Sequence, residues 1–368
     1  MAIFHLSVGL ICVGLAGGCA LADGLPKRLV ADYGYWSRTQ NPPYSSAQIP
    51  FRKMTHLNHA GVSFNADGSL SVPAGFLEPE LIRKGHAAGV KVMLLLGGDF
   101  PALESGSGVL DTLVANLSVF IRQYGYDGLD IDWEYPSSAL DRQTFFNLMS
   151  GLRQAFPSPD YVLSADVPPW AGSGYDLQAV EPIIDYFNIM MYDCAGPWTG
   201  HGQLNSAIFP DPNNPAPYEC EPGGSVKEAA DIFLIQEHLP PSKLNMGTPF
   251  YGYFYTNVSA LFGVCSPCDD FTVLSENYGT FIKQRINQRG WKSYRDPISL
   301  APYMLRTDGK PGYITYDDIF STYYRVWYSL WKRGLGGTFL WSLDADYDGQ
   351  TQDLLNAMHR ATVDRLAP

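Results

Sequence analysis

Between Asp127 and Glu134 the chain reads Asp-Gly-Leu-Asp-Ile-Asp-Trp-Glu, which puts carboxylates at 130, 132 and 134 with apolar residues between them. In an extended strand residues two apart share a face, so Asp130, Asp132 and Glu134 line one side while Leu129, Ile131 and Trp133 take the other. Successive carboxylates then lie ~6.6 Å apart. A row of this kind cannot stay fully ionised in a poorly solvated interior, so at least one group holds a proton near neutral pH. That is the preparation a general acid needs: the deeper pair supplies charge and hydrogen bonds, and Glu134, the outermost, keeps a proton for a leaving oxygen. An acidic solvent-facing strand would also alternate, but the residues flanking this row are apolar. A divalent cation would need further oxygen ligands from a nearby loop, which the row lacks. No metal and no cofactor are expected.

Something must hold such a row at the mouth of a cleft. Short β-branched or aromatic runs alternate along the chain with amphipathic stretches, the rhythm of repeated strand–helix units. Candidate strands are 29–36, 56–64, 91–97, 128–135, 161–167, 187–192, 243–249 and 336–341. Eight is the number that an α/β fold of the (β/α)8 TIM-barrel type requires, and the acidic row then lies on strand four, facing the barrel axis. Candidate helices are 110–124, 142–156, 226–238, 323–333 and 352–365. The interval 254–313, polar, Tyr-rich and Pro-containing, is too long for a βα loop. It reads as a small α+β subdomain inserted after strand seven. Residues 23–368 are thus expected to form one catalytic barrel carrying that insertion.

The 368 residues include 37 Asp+Glu against 25 Lys+Arg, a formal charge of −12 that repels polyanions and argues against nucleic acid as partner. Aromatics reach 14%, and their flat faces suit neutral, ring-shaped ligands. Residues 1–22 carry no Asp, Glu, Lys or Arg and end in the small-x-small pattern Ala20-Leu21-Ala22, so they are expected to be a cleaved secretory signal. No later apolar run approaches spanning length. A secreted, extracellular monomer without membrane attachment is expected. Cys12 and Cys19 fall within the signal. Cys194, Cys220, Cys265 and Cys268 remain as an even set for an oxidising compartment. Three pairings are open, of which 194–220 with 265–268 is favoured. Asn116-Leu-Ser118 and Asn257-Val-Ser259 are glycosylation sequons if the host is eukaryotic.

The octapeptide 127–134 resembles the DxxDxDxE signature of glycoside hydrolase family 18 chitinases. The resemblance extends through Gly34-Tyr35, Gly97-Gly98, Met190-Met-Tyr-Asp193, Gly247-Thr-Pro-Phe-Tyr-Gly252 and Trp341, in the family's order. It implies a TIM barrel with an α+β insertion after strand seven. It also implies a retaining, substrate-assisted cleavage of β-1,4 links between N-acetylglucosamine units, an exception to the two-carboxylate scheme. By this resemblance the catalytic set is Glu134 as acid, Asp132 orienting the substrate acetamido group, Asp130 beneath it, and Tyr192. Substrate contacts fall to Asp193, Trp341, Met190, Tyr35 and Tyr251, with chitin or chitooligosaccharides as partner. Asp127 is expected to be structural.

Four positions depart from the family's pattern. Its SxGG on strand three reads Leu95-Leu96-Gly97-Gly98, without the hydroxyl that supports the acidic row; strand two ends in Ala60-Gly61 rather than an aromatic; strand five carries Asp166 where small apolar residues are common; and Tyr253 stands where Arg is frequent. Two other functions compete with chitin hydrolysis: a lectin that binds chitin oligomers without cutting them, and an endo-β-N-acetylglucosaminidase acting on N-glycans. Glu134 and both supporting aspartates speak against the first, and the insertion with the strand-six and strand-eight motifs against the second.

Overall fold

The computed structural model describes residues 27–104, 108–172, 174–215, 220–221 and 224–365; the expected signal, 1–22, lies outside them. Eight parallel strands close into a barrel: β1 (Arg28–Gly34), β2 (His56–Phe64), β4 (Lys91–Leu96), β5 (Gly128–Asp132), β6 (Val162–Val167), β7 (Tyr186–Ile189), β8 (Leu244–Pro249) and β14 (Gly337–Trp341). Each pairs with the next, and β1 closes the ring by pairing with both β2 and β14. A two-residue strand, β3 (Leu70–Ser71), folds back on the end of β2. The eight predicted strands are all present. Several end short of the sequence reading, because the chain leaves the ladder where side chains turn into the cleft: 128–135 contracts to Gly128–Asp132, and 187–192 begins at Tyr186 and ends at Ile189.

Helices cover the barrel: α1 (Pro79–Ala87), α2 (Val109–Tyr124), α3 (Ala139–Ala155), α4 (Leu177–Val180), α5 (Val226–Asp231), α7 (Ile319–Trp327) and α8 (Asp353–Val363). α2 buries Val109, Leu113, Leu117, Phe120 and Ile121, a stripe at helical spacing, and stops at Gly125 in the left-handed region (φ 77). α3 starts from a reciprocal capping box between Ser138 and Asp141. The predicted helix 226–238 is α5 continued by a wider turn over Ile232–Gln236, and 323–333 is the end of α7 continued in the same way over Tyr328–Lys332.

The insertion is a five-stranded antiparallel sheet in the order β10-β9-β13-β12-β11. Its members are β9 (Tyr251–Tyr255), β10 (Val273–Asn277), β11 (Trp291–Arg295), β12 (Pro302–Arg306) and β13 (Tyr313–Thr315), with one turn of helix, α6 (Lys283–Arg285). The sheet therefore begins before residue 254 and ends after 313. Only Phe250 separates β8 from β9, so the Tyr-Gly-Tyr run reads in sequence as the end of a barrel strand. Cys194 bonds Cys220 and Cys265 bonds Cys268, the favoured pairing. No helix among the described residues is long and apolar enough to cross a membrane.

Candidate active site

The alternation on β5 is realised. Leu129 and Ile131 are fully buried in the main core, and Trp133 stacks on Phe100 (centroids 5.0 Å apart) on the helix-facing side. Asp130, Asp132 and Glu134 point inward in order of increasing exposure, from fully buried to solvent-facing. A cavity of about 180 Å³ opens above them at the C-terminal end of the barrel, where active sites of this fold lie. Asp132, Glu134, Asp166 and Asp193 supply its carboxylates; Tyr135, Met190, Tyr192, Tyr251 and Trp341 supply its apolar and phenolic walls. Among the described residues no cationic side chain lines it. A larger groove, about 640 Å³, runs between α7 and α8 on the outside, but Asp318 there caps α7 and Asp353 pairs with Lys283, so its acids are engaged.

Asp130 sits beneath the cavity as an acceptor. Ser164 Oγ donates to its Oδ1 at 2.6 Å, and Asn58 Nδ2 and Asn188 Nδ2 donate to its Oδ2 at 2.5 and 3.2 Å. Burial pushes its carboxyl up to about 6, and hydrogen bonds from Ser164, Asp166 and Asn188 hold it from going higher. Asp166, the register partner of Asp132 on the next strand, points inward. Burial first, then the charges of Asp130, Asp132 and Asp32, push it well above the usual carboxylate range. Asp32 on β1 is raised for the same reasons, burial and then Asp130. Asp132 is raised by burial, by the charges of Glu134 and Asp130, and by a hydrogen bond to Glu134. The cluster therefore stores protons directly below the outermost glutamate.

Asp193 follows β7 with a left-handed backbone (φ 60), its N–H bonded to Asn205 Oδ1 at 2.9 Å. Tyr253 donates its hydroxyl to Asp193 Oδ1 at 2.8 Å and Tyr251 donates to the same oxygen. Burial raises Asp193 while those two hydroxyls oppose the rise. Tyr192 is buried against Tyr251 and Phe339, and burial with nearby carboxylates, Asp166 first, holds its phenol protonated. Trp341 ends β14 at the cavity wall, with Trp36 6.2 Å away.

Two of the nine expected site residues do not line the cavity: Asp130, which lies beneath it, and Tyr35, whose ring packs edge-on against Trp36 and Phe76. Asp127 lies at the other end of β5, bonded to His86, Lys91 and the Val92 N–H, a structural position. Two departures from the family's pattern are neighbours: a Cβ on Gly61 would lie 3.8 Å from Leu95 Cδ2, at ordinary contact distance. The hydroxyl missing at 95 is supplied to Asp130 by Ser164. Asp32, Asn58, Ser164 and Asn188 escaped the sequence reading. Their signal was a small polar residue at an inward position of a buried strand, which a packed barrel interior does not tolerate without a partner.

A (β/α)8 barrel with stacked carboxylates on its fourth strand and aromatic walls at its mouth defines the class of this site. The chain belongs to the glycosyl hydrolases family 18, whose sequence profile matches residues 28–346. It is 30% identical over 290 residues to the Probable chitinase 2 of Drosophila melanogaster, an alignment covering 70% of this chain and 56% of the fly protein. The chain thus spans little more than half the length of that relative. The Ostrinia furnacalis Group IV chitinase superposes with a TM-score of 0.81 at 23% identity, covering 92% of this chain and 100% of that one. Human YKL-39, a pseudo-chitinase with retained chitooligosaccharide binding properties, superposes at 0.77 with 21% identity, covering 91% and 99%. At such identities these likenesses establish the fold.

Proposed function

We propose that this chain is a secreted, monomeric, retaining chitinase that cleaves β-1,4 linkages between N-acetylglucosamine units, with the substrate's own acetamido group as nucleophile. The observation that carries the reading is the gradient along β5: Asp130 fully buried and fed by donors, Asp132 above it held protonated against Glu134, and Glu134 at the mouth. Glu134 protonates the glycosidic oxygen as the bond to the anomeric carbon breaks. The acetamido carbonyl oxygen attacks that carbon, giving an oxazolinium ion, and no enzyme nucleophile is used. Asp132 orients the acetamido group, Tyr192 offers it a phenolic hydroxyl, and Trp341 presents an indole face to the sugar ring. Water then opens the oxazolinium with Glu134 taking back a proton, so configuration is retained. The relatives' names support the substrate; the two disulfides and residues 1–22 support secretion.

The test is a mass-spectrometric product profile from an N-acetylglucosamine hexamer with wild type and Glu134→Gln. Dimers and trimers from wild type alone support both the activity and its acid. A hexamer left intact by wild type, with binding detectable, overturns the enzyme reading in favour of an oligosaccharide-binding lectin.

A further inference from the structure

A polar chain crosses the barrel from its base to Asp130. Arg28, the first residue of β1, donates Nε–H to Asn245 Oδ1 at 3.1 Å. Asn245 Nδ2 donates to Asn188 Oδ1 at 2.9 Å, and Asn188 Nδ2 donates to Asp130 Oδ2 at 3.2 Å. A guanidinium has donors and no acceptor, so it fixes which end of Asn245 faces it. Asn245 must then turn its amide N–H groups to Asn188, and Asn188 must turn its own to Asp130. Both carboxamide dipoles are aligned with their positive ends toward Asp130. Without Arg28 the two amides could flip together and offer Asp130 an oxygen, which only a protonated carboxyl could answer.

The last strand leaves room for this chain. A Cβ on Gly337 would lie 2.2 Å from Asn245 Oδ1, and one on Gly336 would lie 2.5 Å from Arg28 Nη2. Arg28 is held in place by donation of Nη2 to Ser242 O at 2.5 Å and by the Tyr186 ring, 4.8 Å from the guanidinium carbon.

Resting on the chitinase reading above, we infer that Arg28 is a positioning residue for the acid machinery: through Asn245 and Asn188 it holds Asp130 as the anion. Asp130 can then exchange a proton with the carboxyls around it and keep Asp132 and Glu134 supplied. The other titratable groups that face Asp130 are Asp32 from β1, Asp132 on its own strand, Asp166 from β6 and Tyr186 from β7; β2 contributes Asn58 and β4 the apolar Leu95. Around Arg28 stand Lys27, Tyr186, Asp185 and His56, of which Asp185 is already paired with Arg153.

The experiment is a carboxyl ¹³C NMR titration of the full chain labelled at aspartate, with the Asp130 signal assigned by its loss in Asp130→Asn, run beside a pH profile of kcat. In Arg28→Met the Asp130 midpoint and the acidic limb of kcat both move up by about one pH unit, the scale of a lost charge and lost hydrogen-bond alignment. Asn245→Leu, which cuts the chain with Arg28 in place, gives the same shift; the double variant shifts no further, and Arg28→Lys recovers most of it. An Asp130 midpoint unmoved in folded Arg28→Met and Asn245→Leu overturns the inference and leaves Arg28 a structural contact. Should Arg28→Met not fold, Asn245→Leu decides alone. The NMR midpoint is read without substrate, so failure of the hexamer assay and failure of this chain are separate results.

Discussion

Ser164 and Asp130 are register partners on adjacent barrel strands, and the Ser164 hydroxyl donates to Asp130 Oδ1 at 2.6 Å. It occupies the role that the family's pattern gives to a hydroxyl on the third strand, where this chain has Leu95. A hydrogen bond to a charged group contributes about 1.5–3 kcal/mol, and three other groups still donate to Asp130. Ser164→Ala is therefore expected to lower kcat about tenfold, the low end of that range, with KM unchanged because Ser164 does not line the cavity. Steady-state kinetics on a soluble N-acetylglucosamine oligomer check this. A raised KM at constant kcat would mean that Ser164 shapes the cavity rather than the acid.

Asp193 collects two phenolic hydroxyls on one oxygen. The pair holds the carboxylate toward the cavity, against a burial that favours its neutral form. Tyr253→Phe removes one donor without emptying the space the ring fills. Loss of a hydrogen bond near 1 kcal/mol predicts a ~5-fold weaker binding of oligosaccharide, measurable by calorimetry on Glu134→Gln. Unchanged affinity would assign Asp193 to holding its own loop.

The two disulfides should differ in weight. Cys194–Cys220 closes 26 residues and begins one position after Asp193, whereas Cys265–Cys268 closes 3. The chain-entropy account gives about 3.5 kcal/mol for the first and about half of that for the second. Cys194→Ala/Cys220→Ala should lower Tm the more, and lower activity with it, because Tyr192 and Asp193 are then tethered less firmly. Cys265→Ser/Cys268→Ser should leave activity intact. Thermal unfolding of both double variants, with activity below Tm, discriminates the outcomes.

The strands were legible because each is a short β-branched or aromatic run, most of them followed by a helix-period stretch, and β5 because carboxylates at period two inside apolar sequence have few structural explanations. What the sequence hid was the floor of the site. Asp32, Asn58, Ser164 and Asn188 come from four strands, and each alone is an unremarked polar residue. Only closure of the barrel brings Asn58, Ser164 and Asn188 onto the Asp130 carboxylate, with Asp32 joined to it through Asn58. Tyr35, expected at the substrate from the Gly34-Tyr35 match, lies in the turn after β1 with its ring packed on Phe76.

Asp166 should make the fold less stable as pH rises. Its folded carboxyl is pushed above its ordinary value by burial and by Asp130, Asp132 and Asp32, so between the unfolded and folded values the native state binds more protons than the unfolded chain. Stability then falls with increasing pH across that window. Asp32 and Asp132 act in the same sense, and Asp130, raised to about 6, has exhausted its share above that pH. Buried His56 and His59, lowered to about 4 and about 3, act oppositely: their stability is lost as pH falls below about 6.5, the ordinary histidine value. The wild-type curve mixes both. Asp166→Asn isolates one side, since an amide keeps a donor toward Asp130 and cannot ionise. The variant and wild type should melt together near pH 4 and part progressively above it, with the variant higher by about 2–4 °C at pH 8, the scale of about 1.5–3 kcal/mol in a chain of this size. Melting curves that run parallel across that range would mean that Asp166 carries the same charge folded and unfolded.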